Sequence, residues 1–269
     1  MKKNVSTIVL AAVLALSSQE IFAAPVISDS FTDSNGALLG DSPQTGTGAW
    51  TITGTSVVNP IQVNNGMVVL TNTGQDAYCA FSSSVNTTGG ESLFIGMNLD
   101  VTTAAATGDY FLHTTATVGS TSGFYDRLEA RSSGAGFQLG MEEAGSDAVV
   151  WGTTVLTLEQ SYQVVTEQDF VAGALNDTFE LYVNPTDLSV AGNNATYLNF
   201  TWNGTTAEPS SYAEVNFRQG SSGSAPSETV DNLVVSETFA DVVPAPEPST
   251  IALLALGGVA GLAVIRRKC

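Results

Sequence analysis

The sequence predicts an all-β protein, a two-sheet antiparallel sandwich, and three observations carry that expectation. Short runs alternate apolar with polar residues, and Gly, Asn, Asp, Ser or Pro interrupt them every ten residues or so. No stretch between the two hydrophobic ends sustains a 3.6-residue apolar period. No internal repeat is visible, which sets aside propellers and solenoids. About a dozen short strands at such spacing favour a sandwich or jelly roll over a barrel.

In chain order the strand-like runs are Trp50–Thr53, Met67–Leu70, Ala77–Phe81, Leu93–Val101, Tyr110–Val118, Arg127–Arg131 and Phe137–Met141. They continue with Val149–Trp151, Tyr162–Val165, Thr178–Val183, Thr196–Trp202, Tyr212–Arg218 and Thr229–Val235. The run from Phe179 to Val183 shows the logic. Phe179, Leu181 and Val183 share one side and Glu180 and Tyr182 the other, because side chains alternate across a strand.

The ends follow a different logic. Met1-Lys2-Lys3-Asn4 is a short basic region before an apolar run from Val5 to Leu16, and small residues near Ala23 and Ala24 suit a signal peptidase. Residues 1–23 are therefore expected to be a secretory signal peptide and no part of the fold. The body is expected over 24–240, followed by a Pro-rich linker over 241–250. Ile251 to Ile265 carries no charge, and 15 residues reach the lower limit of a transmembrane helix. Arg266, Arg267 and Lys268 form a basic tail over 266–269 that stays on the cytoplasmic side and leaves the body outside.

Charge narrows the function classes. Five of the eight basic residues lie in the terminal segments, so the body has only Arg127, Arg131 and Arg218 against 24 acids, a formal charge of −21. Such a surface repels nucleic acid and anionic lipid and is compatible with neutral sugars and divalent cations. Cys79 is alone in the body and Cys269 lies past the apolar span, so no disulfide between them is expected. His113 is the only histidine; one His without a Gly-x-Ser-x-Gly pattern argues against a serine hydrolase and cannot build a typical zinc site.

The C-terminal tail, with Pro246-Glu247-Pro248, one hydrophobic span and a basic cluster, resembles the PEP-CTERM sorting tail of exported bacterial proteins. That resemblance implies an exosortase-type enzyme as partner. It recognises Pro246, Glu247 and Pro248 and removes the membrane-inserted tail, leaving the protein at the cell surface or in the extracellular matrix. In the body, Asp29-Ser-Phe-Thr-Asp33, Leu38-Leu39-Gly40 and Gly46-Thr-Gly-Ala-Trp50 resemble the opening of concanavalin A-like (laminin G-type) lectin/glucanase domains. Tyr162 to Val165, Asn176 to Pro185 and Val230 to Val235 resemble the latter half of that jelly roll. The resemblance implies a buried Trp50.

Glucanases of that family carry Glu-x-Asp-x-(x)-Glu on one strand, which aligns alternating carboxylates on one sheet face. The body has no such motif, so no catalytic residues are assigned. Asp126 and Glu129 differ by an odd number and point to opposite faces of a strand; Glu142 and Glu143 read as a solvated turn. The family resemblance also implies calcium where first and last strands meet, with Asp33, Asn35 and Asp231 as donors, since hard oxygen ligands suit that ion. No other cofactor is expected. For carbohydrate, Tyr125, Trp151, Tyr197 and Trp202 supply candidate aromatic platforms. Two functions stay open: a non-catalytic surface protein with a lectin-like sandwich that binds polysaccharide or neighbouring surface proteins, or a glycoside hydrolase or lyase on the same fold.

Overall fold

The computed structural model describes residues 24–243 apart from 146 and 203. The expected signal peptide over 1–23, the Pro-Glu-Pro motif, the apolar span over 251–265 and the basic tail lie outside the described residues. Among the described residues no helix is long and apolar enough to cross a membrane.

Sixteen strands follow one another among the described residues: β1 (Ile27–Asp29), β2 (Gly36–Ala37), β3 (Thr47–Thr53), β4 (Gln62–Asn64), β5 (Met67–Leu70), β6 (Asp76–Asn86), β7 (Ser92–Thr103) and β8 (Asp109–Thr115). Then come β9 (Phe124–Ser133), β10 (Gly136–Ala144), β11 (Val150–Trp151), β12 (Ser161–Asp169), β13 (Thr178–Val183), β14 (Thr196–Thr201), β15 (Ser211–Phe217) and β16 (Ser227–Ser236). A four-residue helix, α1 (Phe239–Val242), follows the last strand. They form two antiparallel sheets, as the alternation predicts. The first has the order β14-β13-β12-β7-β16-β5-β4-β2, with β1 also paired to β16; the second runs β11-β10-β9-β8-β15-β6-β3.

Each of the thirteen runs read from the sequence lies in or overlaps one of these strands. The run expected to reach Val118 stops at Thr115, because the buried Glu214 carboxylate takes the Thr115 hydroxyl (2.8 Å) and the Gly119 N–H (2.6 Å) and pulls the chain into a loop. The short strands β1, β2 and β4 are not among the runs, since two or three residues carry no measurable period.

The core lies between the sheets. In β7, Leu93, Ile95, Met97, Leu99 and Val101 point inward while Asn98 and Asp100 face out. Trp50 is fully buried, stacks on Phe217 at 5.0 Å between ring centroids, and donates its indole N–H to Asp29 Oδ2 at 2.7 Å. That bond ties β1 to β3 and satisfies a donor that would otherwise be costly to bury. Cys79 is buried too, and burial pushes its thiol up to about 12, so it acts as a small apolar side chain.

A second apolar cluster covers the outer face of the first sheet. Phe239, Val242 and Val243 pack there on Phe94, Val165, Tyr182 and Ala191, and the Phe239 ring meets Phe94 and Tyr182 edge-on, each at 5.7 Å. Gly96 of β7 permits this: a Cβ on it would collide with the carbonyl oxygen of Val242. Packing thus extends through Val243, which sets the first residues of the expected linker against the sheet.

Candidate functional site

The outer face of the second sheet gathers the charges that the sequence scatters. Cross-strand partners share a face, and the register pairs Arg127 with Glu142, Glu129 with Gly140, Gly140 with Trp151, Tyr110 with Glu129 and His113 with Asn216. Arg127, Glu129 and Arg131 are spaced by two on β9, so all three project from this same face. All three arginines of the body contact it, and each lies over an aromatic ring. Arg127 and Arg218 flank Tyr110 at 4.2 and 4.0 Å from its centroid, and Arg131 lies over Trp151 at 4.3 Å.

Two of the arginines are paired with acids. Arg127 Nη1 donates to Glu142 Oε2 at 3.1 Å, and Arg218 Nη1 donates to Asp109 Oδ1 at 2.7 Å. Arg131 instead donates through Nε and Nη2 to Gln138 Oε1, at 3.2 and 3.0 Å. The Trp151 indole lies flat over Gly140, where a Cβ would come within 2.6 Å of its ring. Glycine at that position is what gives the ring room.

Electrostatics on this face are unusual. Burial, and then the neighbouring Glu142, raises the Glu129 carboxyl to about 8, so it holds its proton at neutral pH. Glu142 is raised by burial while Arg127 opposes the shift. His113 is buried between Tyr110 and Phe124, with centroids at 5.5 and 4.3 Å; burial and then Arg127 and Arg218 hold it well below its usual range, hence neutral. Neither of its ring nitrogens has a hydrogen-bond partner among the described residues.

At the end of β9 the face opens into a cleft of about 430 Å³, lined by Thr121, Ser122, Phe124, Tyr125, Arg127 and Thr206 among others. Rings, hydroxyls and a guanidinium in a cleft of that size suit a sugar-sized ligand. The arrangement can stack a pyranose ring and exchange hydrogen bonds with its hydroxyls.

The sequence-predicted residues fall in different places. Tyr125 lines the cleft, though its ring also packs on Tyr212 and Trp202. Trp151 lies on the outer face beside Arg131. Tyr197 is half-buried against the core, donating its hydroxyl to Thr154 O at 2.6 Å and accepting from Leu139 N–H. Trp202 is in the core, between Tyr125 and Phe179, away from solvent. Asn35 accepts the Asn65 N–H at 2.8 Å, Asp231 folds back on Asn232, and Asp33 is exposed. Among the described residues no group of three or more His, Cys, Asp or Glu side chains could hold a metal ion.

Glu142 and Glu143 are no solvated turn. Both are buried within β10, because the strand continues to Ala144 and Arg127 supplies a partner for Glu142. Tyr110 and Phe124 carry no signal in the sequence, and Arg127, Arg131 and Arg218 stand out there only as the basic residues of the body, not as members of a site. The Arg-x-Glu-x-Arg alternation of β9 was the signal that could have found three members of the face.

Residues 244–268 match the PEP-CTERM protein-sorting motif. No curated protein matches the chain. Among solved structures, the botulinum neurotoxin serotype D ligand-binding domain in complex with N-acetylneuraminic acid is 9% identical, with 87% of this chain and 50% of that one covered and a TM-score of 0.48. The botulinum neurotoxin serotype G binding domain gives 9% identity, coverages of 86% and 51% and a TM-score of 0.49. A structure from work on endo-acting O-glycanases of prominent human gut microbiota gives 11%, 80%, 99% and 0.46. The chain spans about half the length of the neurotoxin domains it matches. The C-terminal motif implies export and envelope sorting by an exosortase-type enzyme. The chain is an all-β sandwich protein that ends in a PEP-CTERM sorting motif.

Proposed function

We propose that this is an envelope-sorted, non-catalytic carbohydrate-binding protein, and that the outer face of the second sheet takes a segment of uncharged polysaccharide. The observation that carries the reading is the gathering of all three body arginines on two aromatic rings beside the 430 Å³ cleft. Arg127 and Arg218 are already neutralised by Glu142 and Asp109, and the body around them is strongly acidic. A face of paired ions offers both donors and acceptors to vicinal hydroxyls, with little net attraction for an anion. Phe124 and Tyr125 supply the stacking surface, and Thr121, Ser122 and Thr206 rim it with hydroxyls. The sorting tail delivers this face to the cell surface through the exosortase-type enzyme, which reads Pro246, Glu247 and Pro248.

The test is a glycan-array screen of residues 24–243 followed by calorimetric titration of any hit. Binding that is lost in Arg127→Ala and Tyr125→Ala supports the proposal; binding indifferent to both removes the site. The calcium reading at Asp33, Asn35 and Asp231 is checked in the same sample, where a melting temperature unmoved by millimolar calcium sinks it.

One observation favours hydrolysis as a second reading. Glu129, raised by burial and then by Glu142, shares a hydrogen bond with Glu142, and two acids that a bound sugar parts to the roughly 5 Å of a retaining pair are the equipment of glycoside cleavage. A reducing-sugar assay on the bound glycan separates the two: turnover abolished by Glu129→Gln establishes the enzyme, and binding without turnover establishes the lectin.

A further inference from the structure

We infer that Phe239–Val243 is a clasp that fixes where the sorting tail leaves the sandwich, so that the first sheet faces the membrane and the arginine face points away from it. The inference rests on the sorting-tail reading and not on ligand binding, so failure to find a glycan leaves it untouched.

The clasp is held from both sides. Phe239 fills the angle between Phe94 and Tyr182, and Val242 and Val243 are 2% exposed. Ser236 Oγ donates to Asp241 Oδ2 at 2.7 Å, and Thr238 N–H returns to Ser236 Oγ at 3.2 Å. The segment sits over β7 and β16, the two middle strands of the eight-strand path through the first sheet. The matched sorting motif begins at the very next residue, 244.

Only residues 244–250 then separate the clasp from the apolar run that starts at Ile251. Three of the seven are prolines, which favour extended backbone, and at roughly 3.1 Å per residue the eight steps from Val243 to Ile251 reach about 25 Å. Turning the body over requires a longer path. From Gly96 the nearer end of β7 is about 13 Å away at ~3.3 Å per residue, and at ~4.8 Å per strand the two sheet edges are about 14 Å away at β14 and about 19 Å away at β2. Crossing the sandwich adds about 20 Å, from a ~10 Å sheet separation plus outer side chains. The shortest route thus exceeds 30 Å before the tether has turned onto the second sheet. The tether is too short to bring that face to the bilayer.

The surface this assigns to the membrane side is the outer face of the first sheet around α1, which also approaches the membrane-bound sorting enzyme. A ligand for the second sheet would come from the opposite direction, so the two engagements do not compete.

The experiment uses the full chain after signal-peptide removal, inserted in lipid nanodiscs, with Cys269→Ser so that the buried Cys79 is the only native thiol. A fluorophore is placed by Ser161→Cys, exposed on β12 opposite Asp100 on the first sheet, or by Thr51→Cys, exposed on β3 opposite Tyr78 on the second. A quencher carried on lipid headgroups is expected to act several-fold more strongly at 161 than at 51. Inserting a flexible Gly/Ser segment of about twenty residues after Val243 is expected to abolish that difference without touching the fold. Equal quenching at native length, stronger quenching at 51, or no quenching at either site overturns the inference.

Discussion

The two outer faces of the sandwich solve the same problem in opposite ways. Each sheet buries one side in the core and must dispose of the other. The first sheet places apolar side chains, Phe94, Val165 and Tyr182, on its outer side and covers them with the chain's own C-terminal segment. The second places ion pairs, a neutral histidine and flat rings there, and leaves a cleft. The contrast matches the proposed division of labour: the sealed face carries the segment that leads into the sorting motif, and the polar face is the one left open.

The comparison breaks most visibly at Phe239. Phe239→Ala removes the ring between Phe94 and Tyr182 and is expected to cost about 3 kcal/mol in chemical denaturation. Glycan binding at the second sheet should be unchanged, and a parallel loss of binding would show that the faces are coupled. Gly96→Ala, which forces its Cβ against Val242, should loosen residues 239–243 to proteolysis with a smaller loss of about 1–3 kcal/mol.

On the other face the largest effect belongs to Arg127. Arg127→Ala takes the cation from Glu142 and the stacked guanidinium from Tyr110, and the pair is mostly buried, with side chains 13% and 7% exposed. Leaving Glu142 beside Glu129 without it should cost about 2 kcal/mol, below the ~3–5 kcal/mol of a fully buried pair because the arginine keeps some contact with solvent. Arg127→Lys keeps the charge but not the planar stack, and it should recover much of the stability while still weakening glycan binding.

Each face also holds a carboxyl that burial raises well above the usual range, which gives the comparison a pH readout. Burial raises Glu167, under the clasp, to about 7, and burial with Glu142 raises Glu129 to about 8. An unfolded glutamate titrates near 4.5, so above that pH the folded state holds protons the unfolded chain has lost. Stability therefore falls as pH rises, toward about 7 for Glu167 and on toward about 8 for Glu129. His113 has the opposite sign: it stays neutral when folded but binds a proton below 6.5 when unfolded, so it lowers stability on acidification. Melting temperature against pH should decline less steeply between about 7 and 8 in Glu129→Gln and lose part of the earlier decline in Glu167→Gln, while Asp126 and Glu228, also raised by burial, keep the remainder. An unchanged slope in both variants would mean that neither carboxyl is protonated in the fold.

Alternation made the sandwich legible, because strand parity is a local property: every one of the thirteen expected runs found a partner. The site was not legible, for a physical reason. Its members come from β8, β9, β10, β11 and β15, and only pairing across as many as 109 residues brings Arg218 to Asp109. Asp126 and Glu129 do point to opposite faces: Asp126 neighbours core Tyr212, while Glu129 adjoins Glu142 on the outer face. Local polarity misled at Glu142 and Glu143, since a charged pair before Ala-Gly looks solvated until Arg127 is placed opposite. The aromatic candidates divided by depth, which composition does not encode: Trp202 went to the core and Trp151 to the surface.

Trp151 is where the faces differ by the smallest energy and the largest functional consequence. Its ring rests on Gly140 and under Arg131 at the end strand of the sheet, half-exposed, so Trp151→Ala removes little core packing. A stability change within about 1 kcal/mol is expected, as for a single exposed cation–π contact with partial burial. Stacking surface for a sugar chain running along β9 from the Phe124 cleft would be lost with it. Affinity for long oligosaccharides should therefore drop several-fold in Trp151→Ala, while affinity for short ones that fill only the cleft stays constant. An equal drop for both lengths would place Trp151 inside the cleft's own binding unit, and no drop for either would confine recognition to Phe124, Tyr125 and Arg127.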